Sequence, residues 1–164
     1  MQEIIIDIGS GNIKAYSINE LKEVKTHKRE FLEKMDDIMP WEELYELVKP
    51  CYYEGARGNK PYDLELMLRI HLLQNLYDLS DEGTRNEIID SRAFSDFCEV
   101  ESSNQIPDGD TIGRFRNLLI KNHIHEQFFA LVVKTLTERG LILKKGTIVD
   151  STIISAPSST KNKE

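Results

Sequence analysis

Apolar residues recur at helical spacing along most of this chain, most strongly in DLELMLRIHLLQNLYDL, residues 63–79. There Leu64, Met67, Leu68, Leu72 and Leu76 fall three or four residues apart, and Ile70, Leu73 and Tyr77 widen the stripe. Such breadth predicts a central, heavily packed helix, with Asp63 placed to cap it. Upstream, KEVKTHKREFLEKMDDIM puts Phe31, Leu32, Met35 and Ile38 near one face and stops at Pro40. Trp41 to Val48 carries Leu44, Leu47 and Val48, and Pro50 is expected to end that helix. Downstream, Ser80 opens a shorter helix through Ile88 and Ile89, and Arg92 to Phe97 makes a further turn or two. Asp110 is expected to cap a helix carrying Ile112, Phe115, Leu118 and Leu119. A last helix runs from about Ile124 to Arg139, with Phe128, Phe129, Leu131, Val132 and Leu136 inward and Gly140 as its stop.

The two ends read differently. In residues 4–18, β-branched residues flank a Gly-Ser-Gly-Asn turn, a hairpin signal. Near the other end, GTIVDSTIISAP is β-rich and bounded by Gly146 and Pro157, which predicts a strand at about 147–153. The fold class is therefore mainly α, with three parts: a hairpin over 1–24, a helical domain over 25–145 and the start of a sheet over 146–164. The change of composition near residue 25 suits a hairpin fused from another gene.

At 164 residues, with 40% hydrophobic and 30% charged residues, the chain can bury a core, and wholesale disorder is excluded. No run approaches the roughly 20 apolar residues of a membrane span, and MQEIIIDIGSGN lacks the basic start of a signal peptide. The expected setting is cytoplasmic, without a membrane partner. There Cys51 and Cys98, far apart and in no metal spacing, are expected to be buried or half-buried thiols.

A net charge of −7 opposes nucleic-acid binding, but the charge is uneven. Residues 1–109 hold 12 Lys+Arg against 23 Asp+Glu, or −11, whereas residues 110–145 hold 7 against 3, or +4. Arg114 and Arg116, flanking Phe115 in the basic segment, suit either DNA contact or a solvated helix face. His123 and His125 form an H-x-H pair with no further ligand nearby, so exposed helix-boundary histidines are expected rather than a zinc site. Phe128 and Phe129 fit a core better than a base-stacking platform.

Asp150 interrupts the β-rich run TIVDSTII, and an acid in a buried strand is costly unless paired or bound to a cation. The string GTIVDSTIISAPSSTKN resembles the first catalytic-strand motif of bacterial DDE transposases of the insertion-sequence-five group. The resemblance extends over residues 25–164, through LEKMDDIMPWEEL, RGNKP, LRIHLLQNLYDLSDEG and IPDGDTIGRFRNLL in the family's order. The chain departs from the family pattern at Gly109 and Asp110, where a small residue and Thr are usual, and at Ser151, often Ala.

That resemblance implies a helical N-terminal transposase domain leading into the first strand of a ribonuclease-H-like catalytic domain. In the complete family enzyme two Asp and one Glu hold two magnesium ions for DNA cleavage and strand transfer. Asp150 matches the first of those acids, so it is the catalytic and metal-binding candidate. The second Asp and the Glu would lie beyond residue 164, so the catalytic domain reads as truncated. On its own this chain is expected to be inactive and to hold no magnesium tightly. DNA contact at the transposon's terminal repeats is assigned to Arg57, Lys60, Arg114, Arg116, Lys121, Lys144 and Lys145.

A second likeness is local. Asp7 to Lys14, DIGSGNIK, is similar to the first phosphate hairpin of actin-like ATPases, but a hairpin alone lacks the domains that enclose a nucleotide. Three functions follow, in descending order: a truncated transposase that binds transposon ends, a non-enzymatic helical fragment that pairs with an intact transposase or with itself, and a nucleotide-binding protein.

Overall fold

A computed structural model describes residues 4–7, 14–17, 24–53, 58 and 60–141. β1 (Ile4–Asp7) and β2 (Lys14–Ser17) pair antiparallel, with Ile4 opposite Ser17 and Asp7 opposite Lys14. The Gly9 to Asn12 turn, the loop around Arg57 and the expected strand at 147–153 lie outside the described residues. What the structure establishes is a mainly helical protein.

Among the described residues seven α-helices follow: α1 (His27–Ile38), α2 (Trp41–Tyr52), α3 (Leu64–Leu76), α4 (Asp81–Asp90), α5 (Arg92–Phe97), α6 (Gly109–Lys121) and α7 (His125–Glu138). Side-chain oxygens accept from first-turn amides at several starts, Thr26 from Arg29, Asp63 from Leu66 and Ser80 from Gly83. Each satisfies a donor that the helix itself leaves unpaired. Gly140, at φ +72°, follows α7 in the left-handed conformation that Gly adopts without strain.

Two boundaries differ from the sequence reading. The cap of α6 is Asp108, which accepts from the Thr111 amide at 2.8 Å, and Asp110 already lies in the first turn. Asp108 keeps an extended backbone, φ −70° and ψ 166°, which leaves its carboxylate free to fold back over the amides. Pro50 does not end α2. The ring removes one donor, while the last turn is anchored from outside: the Tyr52 hydroxyl donates to the Tyr62 carbonyl at 2.6 Å, and its ring meets Phe115 edge-on at 5.7 Å.

α3 forms the axis of the core. From Met67 to Gln74 every residue is buried, so the helix is enclosed on all sides instead of showing one apolar face. α2, α4 and α6 pack on it, α1 packs on α5, and α7 joins α2 and α6. α4 and α6 approach closely because Gly109 and Gly113, one turn apart, face α4: a Cβ on Gly113 would sit 2.7 Å from an Asp81 carboxylate oxygen. Cys98 is buried and Cys51 half-buried, as thiols. No helix among the described residues is long and apolar enough to cross a membrane.

Candidate nucleic-acid interface

α6 carries three of the assigned cations, and the fold gives them different neighbours. Arg114 and Lys121 are exposed and seven residues apart, which places them on one face of the helix. Arg116 is half-buried and paired. Its Nη2 and Nε donate to the two oxygens of Asp81 at 2.8 and 3.1 Å, a fork that Gln74 completes by donating to Asp81 at 2.7 Å. The Arg116 hydrogen bonds are the main cause holding the Asp81 carboxyl below its ordinary range. Asp81, Arg116 and Gln74 thus tie α4, α6 and α3 together, and a phosphate could reach Arg116 only by competing with a paired carboxylate.

Arg114 borders a groove of about 490 Å3 between α4 and α6, beside Asp81, Glu82 and Asp110. Asp108 lies close enough for Arg114 to help hold its carboxyl low, after the hydrogen bonds from Thr111. Acids outnumber cations inside this groove, which disfavours a polyanion there, while Arg114 at its edge stays exposed. Lys60 is exposed in the segment before α3. Arg57, Lys144, Lys145 and Asp150 lie outside the described residues; of the assigned cations that are described, Arg114, Arg116 and Lys121 share one helix and Lys60 precedes α3. Among the described residues no cluster of His, Cys, Asp or Glu could hold a metal ion.

The polar residues least visible in the sequence lie inside α3. His71 is buried against Phe115, Phe128, Phe129 and His125, at ring-centroid distances of 5.2–5.9 Å, with both ring nitrogens unpartnered. Burial first, then the neighbouring His125 and Arg116, depress its pKa to about 3, so it is neutral in the fold. His123 is exposed, at φ +57°, but His125 is half-buried and its Nδ1 faces no partner, which corrects the expectation that both would be solvated. Phe128 is fully buried and Phe129 half-buried, as core residues. A single His or Arg inside a continuous apolar run is the signal that singles out such positions.

Among the described residues, seven helices, one of them buried at the centre, form a helical domain with exposed cations on α6. The family model for a transposase domain, DUF772, matches residues 19–118, and the chain belongs to that family. No solved structure matches it. Its function is therefore transposase-related.

Proposed function

We propose that this chain is part of a DDE transposase of the insertion-sequence-five type and that its helical domain binds the element's terminal repeats. The family match over residues 19–118 carries the reading, because it covers α1 to α5 and most of α6. The basic segment that begins at α6 supplies Arg114 and Lys121, with Lys144 and Lys145 beyond; Lys60 and Arg57, before α3, add to them from the acidic segment. Arg116 serves the fold through Asp81. Asp150 matches the first acid of the family's catalytic triad. In the complete enzyme such acids hold magnesium, which supplies charge neutralisation at the phosphodiester.

Binding should be weak and salt-sensitive, since the net charge is −7. The test is a titration of the whole chain against its terminal repeats and a shuffled duplex, beside Arg114→Ala and Lys121→Ala. The expected result is tighter binding to the repeats, with each phosphate contact removed flattening the dependence of log affinity on log salt by about one. Equal affinity for both duplexes would overturn end recognition.

One feature favours a second reading, a non-enzymatic fragment that pairs with an intact transposase or with itself. Ile120 on α6 and Val133 on α7 are nearly half exposed, at 49% and 47%, on helices that pack together. Exposed branched side chains of this kind suit a protein contact. Co-purification with the intact enzyme, lost on Ile120→Glu with Val133→Glu, would support that reading.

A further inference from the structure

Another groove of the domain has electrostatics opposite to those of the α4–α6 groove. It measures about 500 Å3 and lies between the start of α1 and the α4–α5 junction, lined by Val24, Thr26, Lys28, Arg29, Ser91 and Arg92, with Ala93 completing it. Three of these seven residues are cationic and none is acidic, whereas the α4–α6 groove has three acids and one arginine. Charge segregation on this scale decides which surface a polyanion can approach.

The three cations are not equivalent. Arg29 is committed: it pairs with Asp96 at 3.0 Å and with Glu33 at 3.5 Å and is only 19% exposed, so it shapes the wall. Lys28 lies over the rings of Phe94 and Tyr77, 4.9 and 5.5 Å from their centroids, which fixes its ammonium while consuming no carboxylate. Arg92 is exposed, and among the described residues neither Lys28 nor Arg92 has an acidic partner within 4 Å. Between them, Val24, 67% exposed, and Ala93 give the groove apolar surface.

We infer that this groove binds the sugar–phosphate backbone of duplex DNA, with Lys28 and Arg92 contacting phosphate oxygens and the deoxyribose resting against Val24 and Ala93. The inference rests on the reading of the chain as an end-binding domain and adds a surface that the charge map of the sequence hides. Lys28 and Arg92 belong to the segment with a net charge of −11, and they meet only because α1 packs on α5. Contacts to backbone and sugar orient a protein on DNA without reading bases, so this groove contributes affinity and register, not preference among sequences.

The experiment measures affinity of the full chain for the terminal repeats and for a shuffled duplex across a salt series, in wild type, Lys28→Gln, Arg92→Gln and Arg92→Lys. Each Gln variant should weaken binding to both duplexes by the same factor and flatten the log–log salt dependence by about one, and Arg92→Lys should keep most of the slope. Thermal melting of each variant separates lost contact from lost folding, and Arg92→Gln, on an exposed side chain, leaves the core untouched. If the wild type prefers its terminal repeats and both Gln variants keep its slope, the groove is overturned while end recognition stands. Sequence-independent binding of the wild type that both Gln variants weaken equally would support the groove and overturn end recognition. A wild type that binds neither duplex overturns both.

Discussion

Arg69→Ala should destabilise the protein by about 2–5 kcal/mol, the range for a large side chain truncated inside a packed core; its acid partner Asp36 is 38% exposed, so the ion pair itself adds little. Arg69 sits in the middle of α3, 4% exposed. Its Nη1 donates to Asp36 Oδ1 at 2.7 Å and to the Phe97 carbonyl at 2.9 Å, and Nη2 donates to Glu65 at 3.2 Å. The guanidinium also stacks over Trp41, 4.6 Å from the ring centroid, while the Trp41 indole donates to the same Asp36 oxygen at 2.9 Å. One side chain thus joins α1, α2, α3 and α5. Alanine would leave Asp36 and the Phe97 carbonyl without their main donor and open a cavity under Trp41. Glu65 and Glu99 are half or more exposed and add little. Arg69→Met, which refills the space, should recover much of the loss. Denaturant titration of both variants reads the difference, and an alanine cost below about 1 kcal/mol would contradict the packed-core cost.

Acid should loosen the protein well above the range in which carboxylates titrate, because of His71. Its pKa is held near 3 in the fold and returns to about 6.5 on unfolding. A group with a depressed folded pKa contributes its full stability above the unfolded value and loses it as the pH falls towards the folded one. The window is therefore about pH 6.5 down to 3. With about 1.4 kcal/mol per unit, roughly 2 kcal/mol should be gone by pH 5. Both ring nitrogens lack a partner inside the aromatic cage, so the charged imidazolium would meet Phe115, Phe128, Phe129, His125 and Arg116 with no counter-charge among them. Asp81 adds a loss of the same sign, but only as pH falls through the lowered range of a carboxyl paired with Arg116. His71→Leu, of similar volume, separates the two. Its denaturation midpoint should stay nearly flat from pH 7 to about 5, where the wild type declines. Parallel declines in the two proteins would show that His71 is not the sensor.

The helices were legible because α3 and its neighbours carry apolar residues at helical spacing and end in short polar caps. Asp63 could be placed from sequence because it is the single capping residue beside its helix. Asp108 and Asp110 could not be separated that way: both precede the apolar stripe, and only the extended backbone at Asp108 decides between them. Pro50 misled because the force that keeps α2 going past it, Tyr52 against Tyr62 and Phe115, comes from residues distant in the chain. The same distance hid the Arg116–Asp81 fork, 35 residues apart, so Arg116 could be weighed only between DNA and solvent. Net charge summed over segments likewise could not show that Lys28 and Arg92 share a groove.

On the proposed function, the helical domain itself carries the DNA-binding surface. An amide chemical-shift map of the uniformly labelled chain, titrated at low salt with its terminal-repeat duplex, tests it most directly. Shifts are expected to gather around Lys28, Arg92, Arg114 and Lys121, with Asp81 and Glu82 unmoved and smaller changes from a shuffled duplex. Residues 24–141 unshifted throughout the titration would contradict it.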